Sequence, residues 1–436
     1  MISLRLFCWV FIGTAVSACS SSRYITTSLQ QTEKDFKEHV GFVLYDPVSQ
    51  KTICDYQGDR FFTPASNTKI FTFYASLQLL GDSIPALRYS HRNDSLIFWG
   101  TGAPGFLYEN TFGESKVYDF LKNHPSKLFF ASENFQEQAF GAGWAWDDYN
   151  DYYQVERTPF PIYGNYSRVK KLYKSFKSTP DVFAFNLNPG MQKEIGTQKE
   201  RSVMVRDLKA NVLSYMRGTT DRPKEWKIPF QYSDELLAKL LTDTLKREVK
   251  LISMNLPQGA AKLYSSVAPD SLYKVMMQES DNFIAEQLLL VCAGVISDTL
   301  KSEIAINYVK KKFLVDLPDE PSWVDGSGLS RYNLFTPRSV TKLWEKIYST
   351  VPRERLFSLL AIGGEKGTIK SYYKAEKAFV FGKTGTLSNN HILSGYLVTK
   401  RGQTFIFSWM NNNFTASTGD IRSRMETLLK MIYEKN

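Results

Sequence analysis

The chain has 436 residues, of which 43% are hydrophobic and 22% charged, with a formal net charge of +10. That length exceeds one comfortable hydrophobic core, so two or more domains are expected, and the proportions exclude a wholly disordered or fibrous chain. Four histidines share no metal-ligand spacing and four cysteines form no C-x-x-C pair, which argues against a structural zinc site or a disulfide-stapled fold.

At the N-terminus, Arg5 is the only charge before a short apolar run that ends in Val16-Ser17-Ala18-Cys19. The run is shorter than the roughly 20 residues of a membrane-spanning helix and reads as an export signal over residues 1–19. Val-Ser-Ala-Cys followed by three serines resembles a bacterial lipobox, in which Cys19 is lipidated and becomes the new N-terminus. The plainer account is an ordinary signal peptide whose cut precedes a cysteine. On the lipobox reading the chain is exported, sits on the periplasmic side and is tethered to a membrane through Cys19. Cys54 and Cys292 then remain, and they read as buried unpaired thiols.

Residues 39–57 read as two strands joined by a Pro-containing turn. A helix follows from near Ser66, with Ile70, Phe73, Leu77 and Leu80 at helical spacing and Gly81 as its stop. From 87 to 261 the texture shifts to short alternating segments, aromatics and turn residues, which predicts a β-rich insert. Within it, residues 165–228 carry 14 Lys/Arg against 6 Asp/Glu. A solvated lysine-rich surface explains that excess better than a binding face, and no nucleic-acid reader motif is present. The stretch Gly143–Tyr153, rich in aromatic and acidic residues, suits a sugar platform, a metal cluster or a packing surface. After 262, helices are expected on both sides of Ser280-Asp281-Asn282 and near 302–314, 337–348 and 420–435, with three intervening strand-like runs. Two early strands, three late ones and these helices predict an α+β domain built from 23–86 and 262–436, interrupted by the insert.

Three short motifs stand in order: Ser66-Asn67-Thr68-Lys69, Ser280-Asp281-Asn282 and Lys383-Thr384-Gly385. Each alone is weak, since Ser-x-x-Lys begins at Ser66, Ser167, Ser271, Ser339 and Ser371; the set and its order carry the signal. Together they are the signature of penicillin-binding proteins and class A β-lactamases. A serine at a helix start with a lysine one turn on places nucleophile and base side by side, near amides that favour developing negative charge. Ser339 also begins a helix but falls after the Ser-Asp-Asn segment. Without the other two motifs, Ser66 would read as an N-cap and Lys69 as a solvated lysine.

With Asp325-Gly326-Ser327-Gly328-Leu329-Ser330-Arg331, the Gly367-Thr368 stretch, Gly143–Asp148 and the segment around Lys383, the chain resembles the class C low-molecular-mass penicillin-binding proteins, the D-alanyl-D-alanine carboxypeptidase/endopeptidase family. It departs from that family at Gly102-Ala103-Pro104, where the family carries Gly-Asp-Pro, and in its lipid anchor. The resemblance implies a penicillin-binding-protein/β-lactamase-like transpeptidase fold, an antiparallel sheet flanked by helices. It also implies a serine D,D-peptidase that acts on peptidoglycan peptide stems without a cofactor or metal and is inhibited by β-lactams. On this reading Ser66 is the acyl-enzyme nucleophile and a neutral Lys69 its base. Ser280 relays a proton to the leaving amine, and Asn282 orients Lys69 and the substrate amide. Lys383 and Thr384 hold the terminal carboxylate on an edge strand that continues through Gly385 and Thr386, and the Ser66 and Thr386 N–H groups form the oxyanion hole. The rivals are a β-lactamase or esterase of the same fold and a non-catalytic, penicillin-recognising wall-binding lipoprotein. The Asp325–Arg331 segment reads equally as a cleft wall or a Gly-rich turn.

Overall fold

The computed structural model describes residues 22–111, 115–172, 175–186, 202–217 and 225–435. The export signal, Cys19 and much of the basic 165–228 stretch lie outside them. The chain forms two compact units: one takes in the chain up to Tyr74 with Tyr273–Ser280 and everything from Val309, the other Ala75–Leu272 with Asp281–Tyr308. No helix among the described residues is long and apolar enough to cross a membrane.

The first unit is built on a six-stranded antiparallel sheet. Its strand order is Ala361–Ile362, Val380–Leu387, Asn390–Val398, Thr404–Asn412, His39–Asp46 and Lys51–Tyr56. Strand Thr404–Asn412 is buried along its whole length, its polar Thr404, Ser408, Asn411 and Asn412 included. On one face, Ile25 and Leu29 from helical residues 22–36, and Ile421, Met425, Leu428 and Ile432 from helix Thr418–Lys435, pack on Phe42, Phe407 and Trp409. Helix Pro337–Thr350 meets the sheet through Trp344, whose indole donates to Ser394 Oγ at 2.8 Å and whose carbonyl accepts from Tyr396. The expected α+β architecture is present. Helical residues 22–36 and helix Arg353–Leu359 were not anticipated.

The second unit carries a five-stranded mixed sheet, ordered Val249–Leu251, Lys127–Ala131, Ser95–Gly100, Pro85–Arg92 and Ala261–Tyr264, and two three-stranded sheets. Trp99 anchors the larger sheet by donating to Met254 O at 2.8 Å. Helix Asn282–Ser297 is mostly apolar because Phe283 through Ala293 are buried, with Glu286 and Gln287 the polar exceptions in that run. Asp281 caps it, accepting from Ile284 N at 2.9 Å. Gly102, with φ of 79°, packs on Leu290 of that helix.

Cys54 and Cys292 are both buried and free. Burial raises both thiols, Cys292 to about 12, which keeps them protonated and unreactive.

Trp409 has no exposed surface, meets Phe42 edge-on at 5.3 Å and donates to Asn411 Oδ1 at 2.9 Å. Trp409→Ala leaves a large cavity and an unpaired amide oxygen, so a loss of about 3–5 kcal/mol is expected in urea unfolding followed by far-UV circular dichroism.

Candidate active site

Ser66 lies in a 3-10 turn, Ala65–Thr68, that runs into helix Lys69–Leu79. The helix is where the apolar spacing put it; the tight turn around the serine is an addition to that reading. Ala65 holds φ of 48°, a sparsely populated conformation for a residue with a Cβ, directly before the serine. Ser66 is half-buried and Lys69 has no exposed surface. Lys69 Nζ sits 2.9 Å from Ser66 Oγ and donates to Ser327 O at 2.6 Å.

A second serine–lysine pair stands in the same unit. Lys383, also without exposed surface, places Nζ 2.8 Å from Ser280 Oγ and 2.6 Å from Thr384 O. Ser280 holds φ of 63° just past helix Pro269–Gln278. The end of that helix is fixed by Gln278, whose amide donates to Ser358 O and Leu360 O. Burial, and then the nearby Lys69 charge, hold the Lys383 pKa well below the usual lysine value.

Asn67 joins the two pairs. Its amide donates to Lys383 O at 2.9 Å, and its oxygen accepts from Ser394 Oγ. Strand Val380–Leu387 passes so close to the nucleophile turn that a Cβ on Gly385 would lie 2.5 Å from Pro64 O and 3.0 Å from Ser66 N. The Lys-Thr-Gly glycine is therefore a matter of clearance. On its outer side, among the described residues, this strand is paired only by the two-residue strand Ala361–Ile362, at Phe381 and Gly382. The edge from Lys383 onward is open to an extended peptide, which can add to it as a strand.

Thr368 Oγ1 lies 2.6 Å from Thr384 Oγ1, and Gly367 lets its turn press on Gln278 O. Thr386 is exposed and pairs its hydroxyl with His391 Nδ1 at 2.9 Å. Burial, and then Arg422, push the His391 pKa down to about 3, so the ring is neutral.

Thus Ser66, Lys69, Ser280, Lys383, Thr384, Gly385 and Thr386 all lie in the first unit. Asn282 belongs to the second, where its amide donates to Tyr153 O at 2.9 Å in the aromatic and acidic loop. In that loop Trp146 is 75% exposed, so it does not serve as packing. No group of three or more His, Cys, Asp or Glu able to hold a metal occurs among the described residues. Ser339, the local competitor of Ser66, is fully buried and spends its hydroxyl on the backbone of Asp319. Ser327 was not singled out for this site, because its contribution is a backbone carbonyl and leaves no mark in side-chain chemistry.

Known proteins resemble this chain over most of its length. The model of the D-Ala-D-Ala carboxypeptidase 3 (S13) family matches residues 23–432. The D-alanyl-D-alanine carboxypeptidase DacB of Haemophilus influenzae is 24% identical, over 91% of this chain and 90% of its own length. Penicillin-sensitive carboxypeptidase A of Dictyostelium discoideum is 23% identical, over 83% of this chain and 80% of its own. Among solved structures, penicillin binding protein 4 of H. influenzae superposes with a TM-score of 0.72 at 21% identity, covering 91% of this chain and 96% of that one. A predatory peptidoglycan endopeptidase from Bdellovibrio bacteriovorus superposes with a TM-score of 0.53 at 13% identity, covering 92% and 93%.

The depressed Lys383 pKa fixes the sign of a stability effect. Between that value and the ordinary 10.5, the unfolded chain binds a proton at Lys383 that the folded chain does not. This group's contribution to stability therefore rises with pH across that window and levels off above 10.5. In urea unfolding from pH 6.5 to 9.5, wild type is expected to gain stability relative to Lys383→Met as pH rises.

Proposed function

The chain belongs to the D-Ala-D-Ala carboxypeptidase 3 (S13) family and is a serine D,D-peptidase acting on peptidoglycan, and we propose that it works through an acyl-enzyme on Ser66. The supporting observation is the placement of two serine–lysine pairs, Ser66 with Lys69 and Ser280 with Lys383, in one unit beside an open strand edge.

Ser66 Oγ attacks the carbonyl of the penultimate D-alanine, and neutral Lys69 accepts its proton. The oxyanion of the tetrahedral intermediate is held by the Ser66 and Thr386 N–H groups. Collapse breaks the peptide bond, and Ser280 relays to the departing amine nitrogen the proton that Lys69 took from Ser66, so that Lys69 is neutral again. Water then attacks the ester carbonyl and gives up a proton to Lys69; the bond to Ser66 Oγ breaks, the peptide leaves as a carboxylic acid, and Lys69 returns the proton to Ser66 Oγ. Lys383 and Thr384 receive the terminal carboxylate, whose negative charge favours the protonated form of Lys383 that burial disfavours. A β-lactam enters as an acylating inhibitor through the same serine.

The expected outcome with fluorescent penicillin is a persistent covalent label on wild type and none on Ser66→Ala, read by gel fluorescence over time. Loss of penicillin without lasting label would instead mark rapid hydrolysis of the acyl-enzyme. No label, with intact penicillin recovered from folded wild-type protein, would overturn the mechanism.

The N-terminal segment supports a second element of the proposal, export followed by lipidation at Cys19. In detergent phase separation the wild-type chain is expected in the detergent-rich phase and Cys19→Ala in the aqueous phase. Equal partitioning of the two would remove the anchor.

A further inference from the structure

We infer that Asp325 is a positioning residue for Lys69, acting through the carbonyl of Ser327; this rests on the reading of Lys69 as the base. Asp325 has no exposed surface, and its carboxyl group accepts hydrogen bonds from Gly328 N at 2.9 Å, Ser330 N at 2.6 Å and Asn333 Nδ2 at 2.8 Å. A buried carboxylate is tolerable only when its oxygens are satisfied, so the turn is folded around it.

An ordinary Gly-rich turn reverses the chain at the surface. Here residues 325–330 are all buried, and the carbonyls of Gly326 and Ser327 face one helix. Gly326 O accepts from Thr72 Oγ1 at 2.7 Å, and Ser327 O accepts from Lys69 Nζ at 2.6 Å, from positions three residues apart on the same face. Gly328 closes the assembly: at φ of 85°, a Cβ there would lie 1.9 Å from Ala65 O, beside the nucleophile.

The chemistry gives this contact its purpose. A neutral lysine amine has two N–H groups and one lone pair. Committing an N–H to Ser327 O restricts where the lone pair can point, and Ser66 Oγ stands 2.9 Å away. Asp325 sets where that carbonyl sits and so aims the base without touching substrate. Misplacement of a reacting group by about 1 Å costs on the order of 100-fold in rate.

The test is acylation by fluorescent penicillin, separating the rate constant at saturation from the half-saturating concentration, with melting temperature as the folding control. Asp325→Asn presents an N–H toward a cluster of donors. It is expected to lower the saturating rate constant by about 50-fold while the half-saturating concentration stays within about twofold. Thr72→Val removes the second anchor of the turn with little change of shape; an approximately fivefold loss in the same constant is expected even if Asp325→Asn fails to fold. Unchanged rate constants in folded variants, or a loss confined to the half-saturating concentration, would overturn the inference. Ser66→Ala is run beside them: labelling that survives in it defeats the nucleophile assignment, whereas its abolition with unaffected Asp325→Asn and Thr72→Val defeats only the positioning role.

Discussion

Two lysines without exposed surface share the interior of one unit, and much of the site follows from how that burial is tolerated. Two ammonium groups so enclosed repel each other and each forfeits its hydration, so both cannot keep their protons cheaply. The response is visible at Lys383, whose proton affinity is depressed by burial and by Lys69. Each amine is given a serine hydroxyl and a backbone carbonyl, Ser66 and Ser327 for one, Ser280 and Thr384 for the other. These acceptors hold an amine in place without restoring the full charge. The same enclosure that would destabilise a salt bridge thus disfavours the charged form of Lys383.

Such a site needs its parts held rigidly, and the holding is done by neutral polar contacts in a dry interior. Trp344 donates to Ser394, Ser394 to Asn67 and Asn67 to the Lys383 carbonyl. One chain of hydrogen bonds thereby joins helix Pro337–Thr350, two sheet strands and the nucleophile turn. The two glycines at the tightest crossings, Gly385 and Gly328, let backbone approach backbone where any side chain would intrude. Networks of this kind strengthen in low dielectric and specify a single arrangement.

How much of this the sequence discloses depends on the kind of atom involved. The helix after Ser66 is legible because Ile70, Phe73 and Leu80 repeat at helical spacing and are buried. The late strands are legible because their runs are short, apolar and separated by turns. The candidate site is legible as three motifs in order, a signature carried by side chains. What stays hidden is carried by backbone or by distance along the chain. The Ser327 carbonyl has no side-chain signature, the Ala65 turn is a matter of φ, and strand Ala361–Ile362 is too short to leave a pattern. Helical residues 22–36 are polar over much of their surface and bury only a narrow row including Ile25, Leu29 and Thr32, a weak periodic signal. Ser339 teaches the converse. It satisfies the local pattern of a nucleophile, yet its hydroxyl is committed to the Asp319 backbone.

The strand order of the larger sheet has a consequence for how the protein comes into being. Strand His39–Asp46 has Thr404–Asn412 as its inner partner, with His39 set against Asn412. An early segment of the chain must therefore wait for a late one before its backbone groups find that ladder. With synthesis at roughly 5–20 residues per second, the interval is long on the timescale of collapse. Contacts of this sequence separation make assembly slow and leave apolar strands uncovered meanwhile. Lys383 and Ser280, made before that last strand, gain their settled setting only when it arrives. The nascent chain thus lacks this ladder until residues 404–412 have been made, and the candidate site built on the sheet waits with it.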